Sequence, residues 1–254
     1  MVRYTTLYCM EKNIRKTVII SGGTSGIGKA TALRLLKDGL NVVVFSYDKK
    51  SCSAFEKELA RIYAEDRYLV VVSDVTKSLQ MVRVVASAIK KYKKIDVVIN
   101  NAGIGYFSDC DEIDEAALTK MVDVNVRGVM NLTAAVVRVM KRQKNGLIIN
   151  IVSTAGKSVS AHGVFYGATK FAVMGYSEGI RRELKPFGIR VATLCPGLVK
   201  TAFLTPTQIK YRLKRLWNGT VPPMLAPDDI GDAISFICSR PGTVSIEDLT
   251  LRPF

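Results

Sequence analysis

Six short runs rich in valine and isoleucine recur along the chain, each separated from the next by a longer stretch with helical spacing. Runs that are apolar at nearly every position are typical of parallel strands buried on both faces. Strand and helix in regular alternation predict a doubly wound α/β sheet with right-handed crossovers. The predicted strands are TVIIS (17–21), NVVVF (41–45), YLVVVS (68–73), DVVIN (96–100), GLIINIVS (146–153) and RVATLCP (190–196).

A further apolar run near the end of the chain, SIEDLTL (245–251), follows a helix-like stretch and predicts a seventh strand. A length of 254 residues suits one large α/β core, and no linker or shift in composition marks a second domain. We therefore expect a single domain over residues 1–254. Residues 1–14 are expected to form an N-terminal extension, and residues 198–224 a lid over the substrate.

The location of the protein is also constrained by its sequence. No apolar run approaches the roughly 20 residues of a membrane span, and the charged N-terminus lacks the apolar core of a signal peptide. The 5 cysteines are widely spaced, which favours free thiols in a reducing compartment. With a single histidine, His162, and no Cys/His cluster, a metal site is not expected. These features predict a cytoplasmic protein without a membrane partner.

The net charge is +15, and much of it is concentrated in three basic segments, KKYKK (90–94), KRQK (141–144) and KYRLKR (210–215). A positive field attracts phosphorylated cofactors, acidic substrates or nucleic acid. The basic segments coincide with predicted helix ends, where lysine and arginine are common, so nucleic acid is not expected as a partner.

A glycine-rich segment, SGGTSGIG, follows the first predicted strand and opens a helical pattern. Glycine permits a tight turn and the close approach of a pyrophosphate, while the amides at a helix N-terminus attract its charge. In this position the segment predicts a dinucleotide-binding loop. Its predicted cofactor contacts are Gly22, Thr24, Ser25, Gly26, Ile27 and Gly28.

The end of the second predicted strand indicates which nicotinamide cofactor is held. An acidic residue there would accept from the ribose hydroxyls and repel a 2′-phosphate, but the position is Ser46, followed by Tyr47 and, two residues on, Lys49. These three residues favour NADP (NADPH). Asp48 could act as a ribose acceptor, so NAD remains possible.

The ends of the third and fourth predicted strands also carry candidate cofactor contacts. Asp74, followed by Val75, either accepts from the adenine amine or caps the helix that follows. The small residues after Asn101 let the backbone approach the adenosine ribose. Asn101, Ala102 and Gly103 are therefore predicted contacts.

Tyr166 and Lys170 lie four residues apart in YGATK, so they share one helix face. Such a pair is by itself more typical of a solvated helix face than of a catalytic site. The motifs SGGTSGIG, SDVT, NNAG, VNV, INIVSTAG, YGATK and CPGLVKT, in this order, resemble the short-chain dehydrogenase/reductase family over about residues 15–253. The resemblance implies a Rossmann-type oxidoreductase that transfers hydride between NAD(P) and a carbonyl/alcohol pair.

The resemblance also implies the catalytic residues, which are Asn125, Ser153, Tyr166 and Lys170. A phenol has an ordinary pKa near 10, and a neighbouring ammonium favours its ionised form, so Tyr166 can act as general acid or base at neutral pH. Ser153 would hydrogen-bond the carbonyl oxygen, and Lys170 the nicotinamide ribose. Asn125 either completes a proton relay through a water or marks a helix kink.

The nicotinamide carboxamide is assigned by the same resemblance to PGLVKT, with Pro196, Gly197, Val199 and Thr201 as contacts. Tyr166 and Lys170 would complete the cofactor site. Substrate contacts are expected from Ser153, Tyr166 and the loops 103–107, 154–165 and 198–224. His162 is either a substrate contact or a loop residue without a role.

The C-terminal part of the chain is similar to NADP-linked serine and allo-threonine dehydrogenases, which suggests a small 3-hydroxy acid or another ketone/alcohol as substrate. Family members usually form homodimers or homotetramers, so one of these is expected. The alternative function is a catalytically silent NADP(H) sensor that binds nucleic acid through its basic surface, with steep salt dependence.

Overall fold

The computed structural model describes residues 15–112, 114–203, 209 and 219–254. The expected N-terminal extension (1–14) and most of the expected lid (198–224) lie outside these residues. In the described part, seven parallel strands form one sheet in the order β3-β2-β1-β4-β5-β6-β7. The strands are β1 (Thr17–Ser21), β2 (Asn41–Ser46), β3 (Tyr68–Val72), β4 (Val97–Asn100), β5 (Gly146–Ile151), β6 (Ile189–Pro196) and β7 (Asp248–Leu251).

Helices connect the strands and cover both faces of the sheet. They are α1 (Gly26–Lys37), α2 (Lys49–Ala60), α3 (Ser78–Tyr92), α4 (Glu115–Val122), α5 (Gly128–Gln143), α6 (Val164–Leu184) and α7 (Pro227–Ser239). A π-helical turn, Asp123–Arg127, joins α4 to α5 without a break. This is the doubly wound α/β architecture that the alternating runs predict.

Alternate residues of each central strand face opposite sides, which divides the core into two layers. Val18 and Ile20 of β1 pack with α1 and α7 on one face, and Ile19 packs with α3 and α5 on the other. All three side chains are fully buried. The predicted burial on both faces is wrong for β3, because it is an edge strand and leaves residues such as Val72 exposed. The other edge strand, β7, is also partly exposed.

A row of buried polar side chains crosses the carboxyl ends of β4 and β5. Asn100 donates to Thr133 (3.0 Å) and to Asn150 (2.7 Å), which is its direct partner across the two strands. Asn150 in turn donates to Ser177 of α6 at 2.7 Å. All four residues are at least 98% buried. The row ties two strands and two helices together directly beneath the loops that follow β4 and β5.

No helix within the described residues combines the length and the apolar character that crossing a membrane requires.

Candidate active site

A cleft of ≈ 1430 Å³ runs along the carboxyl ends of the strands. This is the edge at which doubly wound sheets bind ligands, because all the strand-to-helix loops meet there. The loops after β1, β2, β3, β4, β5 and β6 all contribute to its walls, together with α4 and the residue after β7.

The loop after β1 is shaped by glycines. Gly22 and Gly26 have positive φ angles of 61° and 51°, which side chains rarely adopt. Gly28 packs against the loop itself, because a Cβ there would lie 2.3 Å from the Gly22 carbonyl oxygen. Asn101 braces the same loop by donating to the backbone oxygens of Ser21 and Gly22 at 2.9 and 3.1 Å. Gly22 and Gly26 thus allow the backbone of the loop to turn, and Gly28 allows the start of α1 to pack closely against it.

The hydroxyl of Ser21 joins the first and fourth strands at the floor of the cleft. It accepts from the backbone amides of Asn101 and Ala102 at 2.9 and 3.0 Å. The segment after β4 therefore depends on this hydroxyl for its position.

The end of β2 presents Ser46 and Tyr47 to the cleft, and Tyr47 is 78% exposed. Asp48 is engaged elsewhere, as the cap of α2, where it accepts from the amides of Ser51 and Lys50 at 3.0 and 3.1 Å. The hydrogen bond from Ser51, followed by that from Lys50, lowers the pKa of the Asp48 carboxyl. Lys49 is the first residue of α2 and does not line the cleft.

Asp74 lines the cleft after β3 but does not cap α3. Its carboxylate accepts from the amide and the hydroxyl of Thr76 at 2.9 and 2.8 Å, and Lys77 is the residue that precedes α3. The alternative interpretation of Asp74 as a helix cap is therefore wrong, because a local turn with Thr76 intervenes.

Tyr166 and Lys170 lie on the first turns of α6 and face the cleft. The Lys170 Nζ is 5.6 Å from the centroid of the Tyr166 ring and donates to the Ile151 carbonyl oxygen at 3.1 Å. Burial lowers the pKa of Lys170 from 10.5 to about 8, because its charged form is desolvated. The Lys170 ammonium group thus lies beneath the Tyr166 ring and is largely shielded from water.

Ser153 follows β5 and begins a short helical turn at the cleft wall. Its Oγ accepts from the Ala155 amide at 3.1 Å, which leaves its own O–H able to donate toward the cleft. Val152, which also lines the cleft, packs in a small core with Val129, Val173 and Cys195.

Asn125 is fully buried in the π-helical turn. Its side chain bonds both backbone groups of Ile104 at 2.8 Å, and it donates to Thr169 Oγ1 at 3.1 Å. Thr169 in turn donates to the carbonyl oxygen of Tyr166 at 2.7 Å. The asparagine side chain therefore connects the loop after β4 to the helix of the tyrosine. The π-turn distorts the helix, as the second alternative predicts, whereas the proton relay through a water stays a prediction.

The segment after β6 lies over the phosphate loop. The Thr201 Cγ2 is 3.2 Å from the position that a Cβ of Gly26 would take. Val199 forms a parallel bridge with Leu225, and Gly197 donates to the Leu251 carbonyl oxygen at 2.8 Å. The beginning of the expected lid is thus paired with the chain on either side of α7.

His162 contacts Asp109 through Nδ1 and is not among the cleft residues. Its backbone oxygen accepts from the Ser108 amide at 3.2 Å, so it joins the loop after β4 to the loop before α6. The expectation of a substrate contact from this side chain has no support in the geometry. In the described part of the chain, no three His, Cys, Asp or Glu residues form a group that could hold a metal ion.

Most of the predicted cofactor residues meet in this cleft, and three do not. The Thr24 hydroxyl lies 3.0 Å from that of Ser51 in α2. Gly28 packs beneath the phosphate loop, and Lys49 does not line the cleft. Those that line the cleft are Gly22, Ser25, Gly26, Ile27, Ser46, Tyr47, Asp74, Val75, Asn101, Ala102, Gly103, Tyr166, Lys170, Pro196, Gly197, Val199 and Thr201.

A family profile described as short chain dehydrogenase matches residues 16–211. The chain belongs to the short-chain dehydrogenase family. An uncharacterized oxidoreductase of Staphylococcus aureus (strain MRSA252) is 32% identical over 94% of this chain and 97% of the relative. This short-chain dehydrogenase is accordingly an oxidoreductase.

Solved structures of several dehydrogenases and reductases have the same fold as this short-chain dehydrogenase. A 3-ketoacyl-(acyl-carrier-protein) reductase from Brucella melitensis, complexed with NADH, superimposes with a TM-score of 0.82 at 30% identity, covering 93% of this chain and 96% of that one. A serine dehydrogenase in a closed form, complexed with NADP+, gives a TM-score of 0.83 at 28% identity, with 92% and 94% coverage. None of these matches supports the alternative of a nucleic-acid-binding sensor.

Sequence reasoning missed two parts of this short-chain dehydrogenase's cleft. Residues of α4 and the segment before it line one wall, including Lys120, and Arg252 lines another. Arg252 directly follows β7, so the rule that ligands bind at the carboxyl ends of strands could have found it. The wall formed by α4 had no comparable signal.

Proposed function

We propose that this short-chain dehydrogenase transfers hydride between a nicotinamide cofactor and a carbonyl/secondary alcohol pair. The observation that carries the proposal is the position of Lys170 Nζ, 5.6 Å from the ring of Tyr166 in a cleft that Ser153 also lines. Tyr166 donates a proton to the substrate oxygen during reduction and accepts it during oxidation. Ser153 donates a hydrogen bond to the same oxygen, where negative charge develops.

The residues of the phosphate loop fit a dinucleotide. Their positive φ angles and the amides at the start of α1 form a cradle, and a Cβ at Gly22 would lie 3.1 Å from Ala102 Cα. When bound there, a nicotinamide cofactor supplies or accepts the hydride. Lys170 holds positive charge near the Tyr166 phenol, and Asn125 fixes the helix that carries both residues to the loop after β4.

We propose NADP as the preferred cofactor, with NAD as the alternative. Ser46 offers no negative charge to repel a 2′-phosphate, and Asp48 is committed to capping α2. The similar serine dehydrogenase binds NADP+, whereas the similar 3-ketoacyl reductase was solved with NADH. Titrating the protein with NADPH and NADH by fluorescence compares the two affinities, and tighter NADH binding would contradict this preference.

The decisive test is to follow NADPH and NADH absorbance with a panel of ketones, aldehydes and 3-oxo acids, for wild type and Tyr166→Phe. We expect turnover of at least one carbonyl by wild type and a loss of about 10²–10⁴ in kcat for the variant, with cofactor affinity retained. Full activity in Tyr166→Phe, or no turnover of any carbonyl, would refute the proposal.

A small 3-hydroxy acid is one candidate substrate. The cations Arg252 and Lys120 line the cleft and could meet a carboxylate, and a similar structure is a serine dehydrogenase. Oxidation of serine, allo-threonine and 3-hydroxybutyrate by NADP+ tests this candidate.

We further propose a cytoplasmic single-domain protein that assembles as a homodimer or homotetramer. One continuous sheet carries all the described strands, which supports the single domain. The exposed Phe171 on α6 and Met130 on α5 support an interface on these helices. Light scattering measures the assembly, and a monomer would contradict it.

A further inference from the structure

Aromatic side chains from two loops surround the ring of Tyr166. Phe107 follows β4, and its ring centroid is 5.5 Å from that of Tyr166. Phe203 follows β6, and its ring centroid is 5.7 Å away on a ring tilted by 59°. Tilted aromatic pairs at such distances attract each other. The phenol is therefore packed between two apolar rings that come from separate parts of the chain.

Gly105 makes this packing possible. A Cβ at this position would lie 2.8 Å from the Phe203 Cζ and 3.1 Å from the Phe107 Cε2. Both rings therefore reach the same glycine, and a larger residue there would require the Phe203 ring to shift. We call Gly105, Phe107, Phe203 and Tyr166 the aromatic cluster.

A third loop adds an apolar side chain next to the cluster. Val159 packs so closely on Gly167 that a Cβ there would lie 2.6 Å from Val159 Cγ2. Gly167 directly follows the tyrosine. Val159 remains 41% exposed and Phe203 37% exposed, and both line the cleft. Apolar surface facing the cleft is stabilised when an apolar ligand covers it.

The charges of the cleft lie on other segments. Among the described lining residues, those from the three loops 103–107, 153–163 and 196–203 carry no ionised side chain. A carboxylate held among these loops would lose water without gaining an ion pair from them, which is unfavourable. The ionisable acidic and basic residues of the cleft wall are Asp74, Asp114, Glu115, Lys120, Asp123, Lys170 and Arg252.

We propose that the substrate carries an uncharged, flat apolar group that lies against Phe107 and Phe203 when its carbonyl reaches Tyr166. The inference rests on the proposed function and names its substrate class, which is ketones or secondary alcohols with an aryl or cyclic substituent. The group covers the surface of Phe107 and Phe203 that faces the cleft. The aromatic cluster thus favours such substrates over small 3-hydroxy acids.

The first test compares three substrates in the NADPH assay, namely 4-phenylbutan-2-one, butan-2-one and 3-oxobutanoate. Burial of the phenyl ring should raise kcat/KM about tenfold or more over butan-2-one. The value for 3-oxobutanoate should be the lowest of the three. A highest value for 3-oxobutanoate, or equal values for the two ketones, overturns the proposal.

The second test uses Phe107→Ala and Phe203→Ala. Each should lower kcat/KM for 4-phenylbutan-2-one about tenfold more than it lowers kcat/KM for butan-2-one, because only the aryl ketone loses a ring contact. Phe107→Leu, which keeps apolar volume without a ring, should give an intermediate value and guards against misfolding of the alanine variant. Phe236→Ala is the matched control, because Phe236 is 48% exposed on α7 and outside the cleft. An equal loss for both ketones would indicate a merely structural role and overturn the proposal.

A binding measurement separates this inference from the proposed function. Calorimetric titration of Tyr166→Phe with NADPH present compares 4-phenylbutan-2-ol and butan-2-ol without turnover. Tighter binding of the aryl alcohol, lost in Phe203→Ala, supports the inference even if no carbonyl is reduced and the proposed function fails. Equal binding overturns the inference even if small ketones are reduced.

Discussion

Lys170 shows how a single residue can serve a site at the expense of the fold. It is 95% buried, and the hydrogen bond of its Nζ is to a neutral carbonyl, that of Ile151. Keeping an ammonium group in such surroundings is unfavourable, which is why its pKa falls to about 8. Such costs are common where function requires a charge.

Replacing this lysine by an apolar residue should therefore stabilise the protein. Lys170→Met should raise the free energy of unfolding at pH 7 by an amount on the order of 3 kcal/mol. The gain should shrink as pH rises from about 8 toward 10.5, because the unfolded lysine still binds a proton where the folded one has lost it. Urea denaturation followed by circular dichroism at pH 7 to 10 measures both effects.

Lys90→Met is the control for this prediction, because Lys90 is exposed near the end of α3. It should change stability little and without a trend over this pH range. A Lys170→Met variant less stable than wild type at pH 7 would mean that the ammonium is stabilised by its site.

At the scale of elements, the turn from β1 into α1 depends on one close packing contact. Gly28→Ala would place a Cβ 2.3 Å from the backbone oxygen of Gly22 and 2.5 Å from the side-chain Nδ2 of Asn101. We expect the loop to be displaced, with a loss of about 1–3 kcal/mol in stability and weaker NADPH binding. Chemical denaturation and fluorescence titration measure the two consequences.

Gly179→Ala is the matched substitution in an open position of α6, where nothing lies within 4 Å of the added Cβ. It should stabilise the protein by up to about 1 kcal/mol, because alanine loses less entropy in a helix. If Gly28→Ala were equally well tolerated and bound NADPH normally, the packing beneath the phosphate loop would be unimportant.

The elements themselves are largely predictable from the sequence, because buried parallel strands require runs of valine and isoleucine. All seven predicted strands are confirmed, with boundaries shifted by up to three residues. The exposure of β3 could not be predicted, because its run, YLVVV, is as apolar as that of a central strand. The order of strands in the sheet decides that exposure, and long-range pairing leaves no local signal.

The candidate site is predictable where function requires a particular residue type. Glycines in the phosphate loop and polar residues at strand ends are of this kind. Thr24 and Lys49 were predicted to contact the cofactor but do not line the cleft, and Thr24 instead lies next to Ser51 of α2, a contact that no motif records. The loops around the substrate were predicted, whereas the meeting of Phe107 and Phe203 at Tyr166 depends on packing that no motif records.

At the scale of the whole molecule, two of the three basic segments lie away from the cleft. The basic segments 90–94 and 141–144 include the last turns of α3 and α5, at the amino edge of the sheet, whereas the cleft is at the carboxyl edge. Cations at helix C-termini are favourable locally. Together they still repel one another, since the net charge is +15. The third basic segment, 210–215, lies outside the described residues.

Screening of this repulsion should be visible as a salt effect on stability. Raising NaCl from about 0.02 to about 0.5 M shortens the range of electrostatic interactions, so Tm should rise. Each kcal/mol gained in the free energy of unfolding raises Tm by about 2–4 °C. Scanning calorimetry at several salt concentrations measures it. The double variant Lys90→Glu, Lys144→Glu should respond less, because both exposed cations are replaced by anions. A fall in Tm with salt would show that attractive ion pairs dominate.

The buried row of Asn100, Thr133, Asn150 and Ser177 has a consequence for assembly of the fold. A parallel pair of uniformly apolar strands could slide by two residues and still bury valine and isoleucine. Such a slip of β4 against β5 would place the side-chain amides of Asn100 and Asn150 opposite apolar side chains and break their hydrogen bonds. The row therefore fixes the register of β4 against β5, and with it the heights at which the loops carrying Gly103 and Ser153 leave the sheet.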